Sequence, residues 1–462
     1  GRALLQRCAF FLLLMCVAVA PFPYGGVLPA GTLTIELFAF AIATLALLSR
    51  TEEVRIGAAA IPLAALVAIA LLGAFQTKVL PQNELQQLSP ASARVYADAN
   101  SVLQLYGRPA IPPAISIAPV ETKSTILLTF AYAALLVSSM ILANTRERRR
   151  ILAGALLLTT TAHVLFATLF RDPLSDRLHG AFVNPDHMAG YLGIALAFAF
   201  GLIWSEVLTS DDRTRRVRDR AERLERRAIP LAWRVALWAT IAAGIVLTRS
   251  RGGFLAALFT TFALVVLALL HGRGPVASRR ARMMIGTAIM SGLLIVGFTT
   301  GENALLRFLA SDPRDIGTDT RVQIWHSSID AWRMFPAFGS GLGTFREAFR
   351  RVQTGGVVGL VEQAHNDFLQ LLVTGGWIGG VLGVCVFASM FVILFRAWMR
   401  QPHREESAFI LAAIGALLSL TIHGIVEFNM SIPAIPATLA VMAGAAWAAR
   451  DRKNAERFPA SL

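Results

Sequence analysis

The chain alternates long apolar runs with short polar connections. Windows of about 17–25 mostly apolar residues, the length a helix needs to cross a bilayer, occur at about 8–24, 31–48, 56–74, 124–143, 151–170, 187–204, 232–248, 253–270, 284–300, 367–395, 407–423 and 433–449. This pattern predicts an all-α, polytopic membrane protein of about 12 spans, a single transmembrane unit over residues 1–462. Two long extramembrane stretches interrupt it, at 75–123 and 301–366. In the second, Val322, Ile324, Trp325, Ile329 and Trp332 recur at roughly helical spacing and predict an amphipathic helix over Arg321 to Phe335. Long loops of this kind usually act as lids or binding surfaces. The N-terminal run has no small-residue cleavage site and is followed by further spans, so it reads as a retained first helix.

Composition agrees: 55 % of the 462 residues are hydrophobic and the mean hydropathy is +0.59. A net charge of +14 raises nucleic acid as a partner, but the basic residues are scattered between apolar runs instead of gathered on one module, and nucleic-acid binding is set aside. Cys8, Cys16 and Cys385 lie in apolar segments without the spacing of a metal site or a disulfide framework, so they read as packing residues.

Charge orders the spans. Arg2 and Arg7, the Arg50/Arg55 turn, Arg146 to Arg150, Arg213 to Arg234, Arg273 to Arg282, Arg396 to Arg404 and the tail from Arg450 fall on alternate connections. The positive-inside rule then places both termini in the cytoplasm and the two long loops on the opposite face. The unusual polar clusters fall on that opposite face too.

Phe182-Val183-Asn184-Pro185-Asp186-His187 enters the sixth span there, with Pro185 and Asp186 suited to a turn and helix start, and Asn184 and His187 as cavity candidates. Thr248-Arg249-Ser250-Arg251-Gly252-Gly253 joins two spans so tightly that both arginines stay at the membrane boundary. Arginine is disfavoured in short translocated loops, and a guanidinium offers a bidentate fork to a phosphate; Arg249 and Arg251 therefore read as an anion site, against the alternative of snorkelling anchors. Arg321, one turn before Trp325, can complete a cationic pocket. Gly339-Ser340-Gly341-Leu342-Gly343 follows no strand, so it reads as a tight turn and not a dinucleotide fingerprint.

Ala364-His365-Asn366-Asp367-Phe368-Leu369-Gln370 opens the tenth span. A helix N-cap accounts for Asn366 or Asp367. It does not account for His365, whose ordinary pKa near 6.5 suits general-base work at neutral pH. His423 and Glu427 close the eleventh span one turn apart, which predicts a pair on one helix face. His163, lone within the fifth span, reads as a packing residue.

In this order the elements Phe182 to His187, Ser250-Arg251-Gly252-Gly253, Arg321 with Trp325, Gly339 to Gly343, His365 to Leu372 and Glu427-Phe428-Asn429 resemble the bacterial O-antigen ligase and polysaccharide polymerase superfamily of integral membrane glycosyltransferases, from about residue 120 onward. The resemblance implies a GT-C-like helical fold in the bacterial inner membrane with a periplasmic active site. It also implies transfer of an oligosaccharide from undecaprenyl diphosphate to the hydroxyl of a glycan or glycolipid acceptor, alongside other polysaccharide-assembly proteins. Carried over residue by residue, it makes His365 the base that activates the acceptor and Arg251, or its neighbour Arg249, and Arg321 the diphosphate ligands. Asn184, His187, Asn366, Asp367, His423, Glu427 and Asn429 become cavity candidates. Asp186 stands where the superfamily often has Asn, and Glu427 where it commonly has Asp. No Asp-x-Asp pair is present, so no metal and no cofactor are expected. The 75–123 loop, with Ile115-Ser116-Ile117-Ala118-Pro119-Val120, resembles exopolysaccharide polymerases more than ligases. A lipid or solute transporter, the reading from another class, would place ionisable groups near the bilayer midplane; here they gather at one face.

Overall fold

Backbone groups inside a bilayer have no water to bond, so apolar runs of this length close their hydrogen bonds as helices. The computed structural model describes residues 1–22, 24–50, 57–171, 175, 177–209, 217–271, 283, 286, 289–292, 320–355, 357 and 359–449. Among them there are helices and no strand, only an isolated bridge between Val79 and Ala114. Nine helices among the described residues are long and apolar enough to cross a membrane. They are α1 (Arg2–Val19), α2 (Pro29–Ser49), α3 (Ala60–Gln76, begun by a turn at Gly57), α6 (Pro119–Leu142), α7 (Arg146–Leu169), α8 (Pro185–Thr209), α10 (Arg251–His271), α13 (Asp367–Arg400) and α14 (Arg404–His423).

The expected spans at 232–248 and 433–449 are shorter apolar helices, Leu231–Leu247 within α9 (Val217–Leu247) and α15 (Ala434–Ala448). Most of the span expected at 284–300, the basic connection Arg273 to Arg282, Arg55, the tail from Arg450 and residues 301–319 lie outside the described residues. The first long loop holds two further helices, α4 (Gln82–Leu88) and α5 (Pro90–Leu105), and the second holds α11 (Thr320–Met334), the predicted amphipathic helix, and α12 (Phe345–Phe349).

The nearly wholly buried helices α8 and α14 pack together at the centre of the bundle. Small residues let their backbones approach: a Cβ added at Gly193 would lie 2.6 Å from Ser419 Oγ, and one at Gly201 2.8 Å from Ala412 Cβ. At one end α14 is tied to α7, whose first turn is capped by Thr145. There Arg149 holds Glu406 through Nε at 2.9 Å and Nη2 at 2.5 Å, with both side chains buried, and Arg146 adds a contact at 3.2 Å. The polar clusters of the sequence gather at the opposite end.

Helix α13 breaks at Gly376 (φ 61°, ψ −163°), and the returning loop repairs the break. Carbonyls of Val373 and Thr374 accept from the N–H groups of Ser340 (3.0 Å) and Gly341 (3.1 Å), while Trp377 N–H donates to Pro336 O at 2.8 Å. The buried Gln76 side chain closes what remains: its Nε2 donates to Thr374 O (2.9 Å) and Phe338 O, and its Oε1 accepts from Leu342 N–H at 2.9 Å. Backbone groups freed by the break, the carbonyls of Val373 and Thr374 and the N–H of Trp377 among them, thus acquire partners, as a membrane-embedded backbone requires. The predicted glycine turn is real, with Gly339, Gly341 and Gly343 all at positive φ. Beyond it, Ile324, Ala331, Phe335, Phe345, Phe349, Val361 and Ala364 form a small apolar core of their own with Val373 of α13. That core fixes the loop over the bundle end.

A side chain at Gly376 would put its Cβ 2.3 Å from Ala337 O at a left-handed φ. Gly376→Ala should therefore cost about 1–3 kcal/mol in denaturation of the purified protein. Gly154→Ala, mid-helix with nothing within 4 Å, should be neutral or stabilising; equal melting of the two variants would contradict the described break.

Candidate functional site

The starts of α8, α10, α11 and α13 and the ends of α9 and α14 meet at one end of the bundle. At α8, Asn184 accepts the N–H of Asp186 at 2.8 Å and Pro185 begins the helix, which leaves the Asp186 carboxylate facing inward. Arg177 Nη2 reaches Asp186 Oδ1 at 2.7 Å while its Nε donates to Thr248 O at 2.9 Å, joining the 171–184 connection to the end of α9. Arg321, at the start of α11, reaches Asp186 Oδ2 at 3.3 Å, pairs closely with Glu427 Oε1, and donates to Val426 O at 3.4 Å.

At α13, Asn366 caps the helix by accepting from Phe368 and Leu369 N–H, both at 3.0 Å. Asp367 instead stitches the helix to the turn after α14. Its N–H donates to Gly424 O (2.8 Å) and Glu427 O (3.1 Å), and its Oδ1 accepts from Met430 N–H at 3.0 Å. His365, just before the cap, sits at φ 49°, a left-handed conformation costly for a residue with a Cβ. Its carbonyl accepts Trp325 Nε1–H at 3.2 Å, and its Nδ1 lies 3.3 Å from Glu427 Oε2.

Glu427 is 1 % exposed, and its two oxygens serve two different partners, Arg321 (36 % exposed) and His365 (27 %). A buried carboxylate needs such partners to remain ionised. The result is a base candidate and a cation held by one acid, both open on their outer sides. Phe428 packs edge-on between two histidine rings, 4.8 Å from His365 and 4.4 Å from His187. Behind it, Nε2 of His187, both ring nitrogens of His423 and the side-chain amide of Asn429 are buried without a hydrogen-bond partner among the described residues.

The structure brings together Asn184, His187, Arg321, His365, Asn366, Asp367, Glu427 and Asn429. Arg251 is exposed at the first position of α10, beside Gly252, whose added Cβ would lie 2.6 Å from Val426; Arg249 sits in the preceding turn at φ 53°. One expectation fails. His423 and Glu427 do not share a helix face, because α14 ends at His423 and the chain turns, swinging Glu427 to Arg321 and His365. His163 packs with Phe22 and Phe182 and its Nε2 accepts Ala181 N–H at 3.0 Å, as the packing reading expects, while its buried Nδ1 has no hydrogen-bond partner among the described residues. Two residues escaped the sequence reading. Arg177 was legible only as one more arginine on the face where arginine is disfavoured, and Gln76 only as a polar end to a span.

Residues 235–384 match the O-antigen ligase family model (Wzy_C), which supports the placement of the chain in the O-antigen ligase and polysaccharide polymerase superfamily. No curated protein matches the chain. The matched stretch contains Arg249, Arg251, Arg321 and His365 and ends before Glu427. It supports a membrane glycosyltransferase-like enzyme of the ligase and polymerase type, acting on a glycan or lipid-linked substrate.

If Glu427 and Arg321 form one unit, a double-mutant cycle of Arg321→Gln and Glu427→Gln read by denaturation should give a coupling energy of about 1–3 kcal/mol. Additive effects would mean that the contact does not form.

Proposed function

On the premise of that match, we propose that the chain transfers an oligosaccharide from a polyprenyl diphosphate to an acceptor hydroxyl at the periplasmic face, and that it polymerises repeat units of a surface polysaccharide. The observation that carries this reading is the shared Glu427 carboxylate. A carboxylate oxygen 3.3 Å from His365 Nδ1 makes that nitrogen the proton carrier and leaves Nε2 to accept. Nε2 takes the acceptor's hydroxyl proton as its oxygen attacks the anomeric carbon. The bond from that carbon to the diphosphate oxygen breaks, and the electron pair leaves with the diphosphate. Glu427 stabilises the imidazolium that results.

The leaving diphosphate gains negative charge, and preorganised cations in a low-dielectric site lower that barrier. Arg321, Arg251 and Arg249 supply them, with Asp186 and Glu427 fixing the Arg321 fork. This chemistry assigns charge stabilisation to guanidinium groups with no metal step. Orientation follows the basic connections: the Arg149–Glu406 end faces the cytoplasm and the His365 end the periplasm. Ligation to a lipid A core or a protein differs only in the acceptor.

His365→Ala should lower transfer by about 10²–10⁴-fold while the protein remains folded; near-normal glycan assembly would sink the assignment. In cells lacking the chain, single lipid-linked repeats should accumulate, whereas full-length lipid-linked chains would identify a ligase. Transfer by reconstituted protein should persist in excess EDTA without a gradient or nucleotide, and loss in EDTA would contradict the arginine mechanism.

A further inference from the structure

His365 is held by its backbone as well as by Glu427. It enters α13 at φ 49°, and a residue with a Cβ stays there only where its surroundings over-determine the conformation. Two side chains supply that constraint, one on each side. On the entering side, the fully buried Ala364 gives its N–H to Gln370 Oε1 at 2.7 Å. On the leaving side, the His365 carbonyl accepts Trp325 Nε1–H at 3.2 Å, and Asn366 then fixes the first turn of α13. Trp325 lies one turn along α11 from Arg321, so the docked loop helix brings the cation and one brace of the base together.

Gln370 does more than satisfy one amide. From the first turn of α13 it folds back over the helix start, where its Nε2 meets Gln363 Oε1 and, at 3.5 Å, Ser431 Oγ. Ser431 closes the short turn Asn429–Ser431 that follows Glu427, and its N–H donates to Phe428 O at 3.2 Å. One side-chain amide, with an acceptor for Ala364 and donors for the other two, thus joins the segment that delivers the base to the segment that delivers its acid.

The separation of 3.3 Å between His365 Nδ1 and Glu427 Oε2 is already long for a hydrogen bond, so a small displacement of either segment parts them. Misplacing a catalytic group by about 1 Å can cost roughly a hundredfold in rate. On the transfer reading above, we infer that Gln370, with Trp325 as its counterpart, is a positioning residue. It acts through His365 and not on the substrate, setting the approach of the imidazole to Glu427 from the backbone at 364 and the turn at 431.

Gln370→Met keeps the side-chain length and removes both the acceptor and the donors. Gln370→Glu keeps the acceptor for Ala364 N–H, while Gln363 can turn its amide and Ser431 its hydroxyl to meet the second oxygen. In reconstituted protein given a polyprenyl-diphosphate-linked oligosaccharide, Gln370→Met should lower kcat about tenfold to a hundredfold, with KM for the donor within about twofold of wild type. Gln370→Glu should recover kcat to within about threefold of wild type. Trp325→Phe, which keeps an aromatic ring and drops the N–H, should lower kcat alone in the same way, and it is the variant to read if Gln370→Met aggregates in gel filtration. In a His365→Ala background neither change should cost anything further, because no base is left to position. A kcat within about twofold of wild type in Gln370→Met or Trp325→Phe, or a loss confined to KM, overturns the assignment. So does a Gln370→Glu enzyme as slow as Gln370→Met, or a further loss of about tenfold on top of His365→Ala. Near-normal transfer by the His365→Ala protein itself would overturn the base, a failure seen without touching Gln370.

Discussion

One buried carboxylate organises the end of this bundle. Glu427 leaves water almost completely, and that is tolerable only because Arg321 takes one oxygen and His365 the other. From this constraint the neighbouring geometry follows. Arg321 must come down from the loop helix to the bundle, which also brings it to Asp186, and His365 must adopt a left-handed backbone to present Nδ1. Asp367 holds the Glu427 turn from the other side through the carbonyls of Gly424 and Glu427. His365, Arg321 and the Glu427 they share come from three chain segments, so none of them is set by local sequence alone.

A second constraint is hydrogen bonding in an apolar medium. The break of α13 at Gly376 would leave carbonyls and N–H groups bare, and residues 336–342 with Gln76 satisfy them. This exchange anchors the long loop to the span that begins with His365. The loop is thereby part of the bundle's hydrogen-bond ladder, with its own apolar core around Phe335 and Phe349. Positioning of Arg321 depends on that anchoring, since α11 is otherwise attached through Trp325 and its buried face.

Much of this was legible in the chain. Span length reveals the helices because it measures bilayer thickness directly, and helical spacing reveals α11 because one face is buried, with Ile324 in the core and Trp325 only partly covered. Asn366 as a cap is likewise a local effect, readable from residue type next to an apolar run. What could not be read were contacts set by distance in space. His423 and Glu427 have helical spacing, and only Gly424 between them signalled that the helix ends there. Gly376 lies within a long, mostly apolar span, where the Gly375-Gly376 pair hints at a break whose partners at 336–341 only the fold reveals. Arg177 and Gln76 act through partners far along the chain, at Thr248 and at Phe338 and Thr374.

In the proposed transfer, His365, Glu427 and Arg321 act on one lipid diphosphate. The most direct test is an experimental structure with a polyprenyl diphosphate bound. Phosphate oxygens should lie at about 2.7–3.2 Å from Arg321 and from Arg251 or Arg249, with His365 Nε2 turned towards the position of the anomeric carbon and Glu427 still on Nδ1. An ordered diphosphate held away from Arg321, or His365 facing away from it with Glu427 disengaged, would rule this arrangement out.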